Sequence, residues 1–129
     1  KMQYAAYLAG KAINITRTTG PHALSYYLTA NYGIPHGHAV ALLLPVFFFY
    51  NHPQEEVYHL LNLENATEAA HFVTENLRQA GLATKLSELK IDKHQIIESL
   101  LDEVNEERFA NNPVFFDREK LKQLILEQL

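Results

Sequence analysis

The longest apolar run of the chain, residues 39–50, restricts its fold more than any other feature. The run has about twelve residues, whereas a helix needs about 20 to cross a bilayer, so no membrane-spanning segment is predicted. A helix that is apolar all round must be covered on every side. We therefore predict a central buried helix from near His36 to Phe49. A buried strand over residues 42–47 is the alternative, although length and the flanking breakers favour a helix.

Apolar residues recur at helical spacing along the rest of the chain. A first helix is predicted over residues 2–15, and its many alanine and glycine residues suit close packing against a neighbour. A second is predicted over residues 21–30, and residues 86–91 are predicted to be a connector. Four more helices are predicted: residues 54–61, a helix capped by Asn65 and ended by Gly81, one capped by Asp92, and one capped by Asp117. The predicted fold class is all-α, a helical bundle of about six or seven helices.

Composition excludes several classes of protein and of chemistry. With 129 residues and 47% hydrophobic residues, the chain can form one ordinary domain with its own core. The net charge of −4 gives no basic face, so nucleic acid is not an expected partner. The absence of cysteine excludes disulfides and thiolate metal sites, and it is consistent with a reducing cytoplasm. The seven histidines are then the natural place to look for metal or proton chemistry.

His22 and His36 are the histidines best placed for such chemistry. His36 is expected at a helix N-terminus, where the positive helix end favours the neutral imidazole that binds metals. His22 lies on the first turn of the preceding helix, fourteen residues upstream, and would converge with His36 if the two helices pack antiparallel. The spacing matches no short metal motif, and two histidines that cap helices are the more ordinary interpretation. A metal site needs three or four ligands, and the first carboxylate is Glu55.

Three segments of the sequence together point to a known family. They are AGKAIN at 9–14, PHALS at 21–25 and YGIPHGHAVALLLP at 32–45. In this order they closely resemble the iron-containing (group III) alcohol dehydrogenases, and NNP at 111–113 before a last helix matches how that family ends. The resemblance covers essentially the whole chain, but only the C-terminal half of the family.

The resemblance implies a metal-dependent, NAD(P)-linked alcohol dehydrogenase or aldehyde reductase. Residues 1–129 would be its metal-binding helical C-terminal domain, and the NAD(P)-binding N-terminal domain would be absent from this chain. The divalent metal, iron or zinc, is held in the family by one aspartate and three histidines, two of which match His22 and His36. The other two ligands lie upstream of this segment, so residues 1–129 alone are predicted to be inactive. The implied partners are a small alcohol or aldehyde and a second copy of the chain, with no membrane.

The substrate side departs from the common pattern of the family. Many members carry another histidine four residues after the position of His22, and this chain has Tyr26 there. We therefore predict Tyr26 and His38 as substrate-binding residues. The sequence looks most like the phosphonoacetaldehyde reductase branch, whose anionic substrate would need cationic partners. Arg17, Lys11 and His38 are the local candidates, although Arg17 and Lys11 are equally well explained as solvated charges.

Two alternative functions stay open at this point. The resemblance also extends to glycerol dehydrogenase and dehydroquinate synthase, which share the two-domain plan but catalyse different reactions. A non-catalytic helical binding module would need only the bundle pattern and the acidic C-terminal half.

Overall fold

The computed structural model describes residues 1–129 and contains eight α-helices and no β-strand. The helices are α1 (Met2–Thr16), α2 (Gly20–Tyr32), α3 (His36–Tyr50), α4 (Glu55–Leu60), α5 (Ala66–Gln79), α6 (Lys93–Asp102), α7 (Glu106–Phe109) and α8 (Arg118–Gln128). The all-α prediction is confirmed, and the predicted count of six or seven helices is low because α7 was missed. A 3₁₀ helix, Leu86–Leu89, occupies the predicted connector. None of the helices has the length and apolar character needed to cross a bilayer.

Helix α3 is the central element, as predicted, and the alternative of a strand over residues 42–47 is wrong. It packs against α2, α5 and α8. A core of 20 buried residues joins α3 to α2, α6 and α8 and includes Leu43 and Phe47. A second cluster, around Phe48 and Tyr58, joins α3 to α4 and α5. Since each large apolar side chain contributes about 1.5–3 kcal/mol when it is fully buried, these two clusters hold the bundle together.

Short polar side chains fix the starts of the helices, as predicted for three of them. The side chains of Asn65, Asp92 and Asp117 accept hydrogen bonds from backbone N–H groups in the first turns of α5, α6 and α8, at 2.9–3.0 Å. Gly81 follows α5 with a left-handed backbone (φ 71°), as expected of a residue just past a helix end. Asn105 caps α7 in the same way, by accepting from the N–H of Arg108 at 2.9 Å.

Helix α1 differs from the prediction. None of its residues is buried, and no other helix of residues 1–129 packs along it. A Cβ added at Gly10 would meet no atom within 4 Å. The close packing expected from its alanine and glycine content is therefore not found within this chain, because composition shows that a close neighbour would fit but not where one lies.

Gly20, at the start of α2, provides a test of the packing between α2 and α3. A Cβ at this position would lie 2.0 Å from Cε1 of Phe47. We expect Gly20→Ala to lower the free energy of unfolding by about 1–3 kcal/mol, because the buried ring must move. The matched control is Gly10→Ala, which we expect to raise stability by about 0.5–1 kcal/mol. Urea denaturation followed by circular dichroism measures both, and an unchanged midpoint for Gly20→Ala would contradict this packing.

Candidate metal centre

The segment between α2 and α3 returns the chain to the beginning of α2. Gly33 ends α2 with a left-handed backbone (φ 65°), and residues 33–35 then run without helical structure. Such a segment can span at most about 13 Å between its flanking Cα atoms. The rise of α2 from Ser25 to its last residue is similar, roughly 10 Å. His36 therefore starts α3 beside Ser25, close to the first turn of α2, where His22 lies.

The two predicted ligands are brought together. The ring centroids of His22 and His36 lie 5.4 Å apart, and the rings meet edge to face at 63°. Two imidazoles bound to one tetrahedral ion at ordinary bond lengths would have centroids about 5 Å apart. His22 is half-buried and His36 is exposed, so the pair lies at the surface of this chain. The spacing of the pair thus fits a shared metal ion.

Ser25 determines which nitrogen of His36 is available. Its hydroxyl donates to the carbonyl of His22 at 2.9 Å and lies 3.3 Å from Nδ1 of His36. Because the only hydroxyl proton is used on the carbonyl, the oxygen accepts a hydrogen bond from Nδ1–H. This tautomer leaves the lone pair on Nε2. Metal-binding histidines usually have their other ring N–H held by such a partner.

The electrostatic surroundings keep His22 in its neutral form. Burial lowers the pKa of His22 below its ordinary value of 6.5, and the charges of His36 and Arg108 lower it further. A lower pKa means that His22 is deprotonated at neutral pH, which is the state that can donate a lone pair to a metal.

The donor set supplied by this chain is incomplete. Residues 1–129 contain no group of three histidine, aspartate or glutamate side chains that could hold a metal ion together. Protein zinc sites use three or four protein ligands, and iron sites commonly include a carboxylate. The chemistry and the spacing of His22 and His36 therefore fit two ligands of a metal site, and residues 1–129 bring no third ligand to them.

Tyr26 lies beside the pair, and its role in substrate binding stays a prediction. Its ring stacks on His36 with centroids 5.5 Å apart and an angle of 26°. The guanidinium carbon of Arg108 lies 5.0 Å from the centroid of the same ring. Arg108 could not be predicted as part of the site from the sequence, because it lies on the four-residue helix α7, which is too short to show a helical periodicity.

The other predicted candidates lie apart from the pair. Nε2 of His38 donates to the carbonyl of Ala83 at 2.8 Å, which ties the start of α3 to the segment after α5. His38 follows His36 by two residues and so points to another face of the helix; its role in substrate binding stays a prediction. Lys11 lies over Tyr7 on α1, 5.6 Å from the ring centroid. Arg17 lines an open cleft of about 290 Å³ together with Arg108.

Comparison with protein families gives one match to the whole chain. The model of the Fe-containing alcohol dehydrogenase family, C-terminal, matches residues 1–129. Phosphonoacetaldehyde reductase of Streptomyces viridochromogenes is 43% identical over 51 residues, which are 40% of this chain and 13% of that protein. The 1,3-propanediol dehydrogenase of Citrobacter freundii is 37% identical over 83 residues, which are 64% of this chain and 19% of that protein.

Two solved structures share the fold. Sulfoacetaldehyde reductase from Bifidobacterium kashiwanohense, in complex with NAD+, superposes with a TM-score of 0.73 and 27% identity over 87% of this chain and 31% of that one. A 1,3-propanediol oxidoreductase gives a TM-score of 0.83 over 99% of this chain and 37% of that one, at 23% identity, and supports the fold alone. The chain thus spans less than two-fifths of each relative.

The neutral state of His22 can be measured directly. We expect its imidazole to titrate below 6.5 in the metal-free protein, since burial and the neighbouring charges favour the unprotonated form. Replacement of His36 by Asn removes one of those charges and should raise the midpoint, while the burial contribution remains. NMR titration of the His22 ring protons gives the value, and the urea-unfolded protein gives the reference. A midpoint at or above 6.5 in the folded protein would contradict this account of the site.

Proposed function

The chain belongs to the Fe-containing alcohol dehydrogenase family, and on that premise we propose that residues 1–129 are the metal-binding helical part of a metal-dependent, NAD(P)-linked alcohol dehydrogenase or aldehyde reductase. The observation that carries the proposal is the convergence of His22 and His36, with Nε2 of His36 left free by Ser25. The nucleotide-binding domain and the remaining metal ligands would then lie outside residues 1–129.

His22 and His36 would hold the metal, iron or zinc, through neutral ring nitrogens. When bound, the ion supplies Lewis-acid polarisation of the alcohol or aldehyde oxygen. The residues of this chain preorganise the site for the ion. Burial keeps His22 unprotonated, and the fully buried Ser25 holds the tautomer and the ring orientation of His36. Both contributions exist before any ligand arrives, so little reorganisation is needed on binding.

Tyr26 would form one wall of the substrate site. Its ring covers a face of His36, and 36% of the residue is exposed, so a substrate can reach it. NAD(P) is proposed to be bound mainly by the domain outside residues 1–129. We assign two tasks to Tyr26. It would position the carbonyl carbon of the substrate, and it would limit the access of water on one side of the histidine pair.

The proposed substrate is a small aldehyde or alcohol, and phosphonoacetaldehyde is the finer proposal. It is supported by the 43% identity to a phosphonoacetaldehyde reductase. Another relative is named for sulfoacetaldehyde, which also carries an anionic group. The relative named for 1,3-propanediol indicates that a neutral substrate is the alternative.

Loss of His36 tests the proposed function. In the complete enzyme we expect His36→Ala to lose bound iron or zinc, and with it NADH-dependent aldehyde reduction, because one ligand of the site is removed. His94→Ala, at an exposed position on α6, is the control and should keep both. Metal content by mass spectrometry and initial rates are the measurements. Wild-type turnover in His36→Ala would exclude the ligand assignment, and a wild-type enzyme that binds neither metal and reduces no aldehyde would exclude the proposed function.

Loss of Ser25 tests the assignment of the tautomer. We expect Ser25→Ala to weaken metal binding by about 10- to 100-fold, as is usual when the partner of a metal-bound histidine is removed. Nitrogen-15 NMR of the metal-free protein should show His36 shift from the Nδ1–H form to a mixture of tautomers. Ser99→Ala, at an exposed position on α6, is the matched control. Unchanged metal affinity together with unchanged nitrogen shifts would show that Ser25 has only a packing role.

A further inference from the structure

We propose that Arg108 is the residue that selects the substrate, by binding an anionic oxo-acid group, phosphonate or sulfonate, of a short aldehyde. This inference rests on the proposed function and deepens it. Arg108 contacts the same tyrosine ring that covers His36, since its guanidinium carbon is 5.0 Å from the centroid of Tyr26. The cation is therefore an immediate neighbour of the histidine pair.

The fold holds Arg108 in this position. Phe109, the next residue, is only 3% exposed and packs against Phe47 in the core. The N–H of Asn105 donates to the carbonyl of Ala23 at 3.5 Å, which joins the start of α7 to the first turns of α2. Although the side chain of Arg108 is exposed, its backbone is thus fixed relative to the helix that carries His22.

The buried side chain of Asn112 closes the other end of α7. Its Oδ1 accepts from the N–H of Gly20 at 3.4 Å and from Nδ2 of Asn51 at 3.1 Å. Its Nδ2 donates to Oδ1 of Asn51 at 2.7 Å and to the carbonyl of Val114 at 2.9 Å. Because all four hydrogen-bonding positions of this amide are filled, the segment after α7 is tied to the beginning of α2 and the end of α3.

The positive charge of Arg108 is not neutralised within the chain. The ion pairs of residues 1–129 are made by Arg78, Arg118 and Lys122. The only side-chain hydrogen-bond partner of the guanidinium is the hydroxyl of Thr18, an acceptor 3.3 Å from Nη1. Arg108 lies beside the candidate metal site and pairs with no carboxylate, although the net charge of the chain is −4. Its guanidinium is therefore free to bind an external anion.

The chemistry of arginine suits that anion. A guanidinium that lies against an aromatic ring keeps the N–H groups along its edge available, and those groups match two oxygens of a phosphonate, sulfonate or carboxylate. The adjoining cleft of about 290 Å³ is lined by Thr18, Arg17 and Arg108, and Glu107 is its one acidic residue. The cation of Arg17 and the hydroxyl of Thr18 thus line the same cleft as Arg108 and are available to the same anion. A neutral diol would leave this charge unused.

The phosphate groups of NAD(P) are a second kind of anion that an arginine binds in the same way. We assign Arg108 to the substrate because it contacts Tyr26, whose ring stacks on the candidate ligand His36. The experiment must therefore follow the KM for NADH beside the KM for the aldehyde.

Arg108→Gln in the complete enzyme tests the inference. We expect the ratio of kcat/KM for phosphonoacetaldehyde to kcat/KM for propionaldehyde to fall by about 10- to 100-fold, because a charge-assisted pair of hydrogen bonds is lost. Arg108→Lys should recover part of the loss, since it keeps the charge but not the fork. Arg78→Gln, an exposed arginine on α5, is the matched control and should not change the ratio. Calorimetric titration with phosphonoacetate, in the absence of NADH, should show weaker binding to Arg108→Gln than to the wild type.

The outcomes separate the two proposals. Turnover with an unchanged substrate ratio, or a raised KM for NADH alone, would overturn the role of Arg108 and leave the proposed function standing. If the wild-type enzyme reduces no aldehyde, the proposed function fails. The phosphonoacetate titration then still decides on Arg108: binding that Arg108→Gln weakens supports an anion site, and equal binding in both proteins overturns it.

Discussion

A helix without a polar face is stable in water only when other elements cover all of its sides, and α3 imposes this requirement on the whole chain. Two hydrophobic clusters meet it from different directions, one through α2, α6 and α8 and the other through α4 and α5. The position of α2 on α3 is fixed where Gly20 meets the ring of Phe47. The location of His22 thus follows from the way the core is filled.

Much of the fold could be read from the sequence because its signals are local. The caps at Asn65, Asp92 and Asp117 depend on neighbours within three residues, and the burial of α3 depends on its own composition. Helix α7 also has a cap, Asn105, but its four residues make only about one helical turn, which is too short for apolar residues to recur at helical spacing. The alanine-rich character of α1 indicated close packing but could not show where the partner lies.

The residues of the candidate site also divide into those that local sequence signals mark and those that they do not. His22 and His36 were found because both stand at helix starts and match a family motif. The hydroxyl of Ser25 and the cation of Arg108 were not predicted from the sequence, because each depends on a contact formed only in three dimensions. Arg17 and Lys11 were the cations predicted from proximity in sequence to His22, yet the arginine that contacts the aromatic wall comes from near the C-terminal end. Long-range packing, through Phe109 and Asn112, decides which cation lies beside Tyr26.

Residues 33–35 act as a spacer of fixed length, although they look like an ordinary connection between helices. Most surface connections accept insertions and deletions, because their length does not affect the elements they join. One residue more or fewer here would move the chain by about 3.5 Å along α2. Metal ligands are placed to within about 0.2 Å, so such a change would separate His36 from both Ser25 and His22. Changes in the length of this segment are therefore incompatible with the site, and substitutions are restricted at Gly33, whose backbone is left-handed, and at Ile34, which is buried.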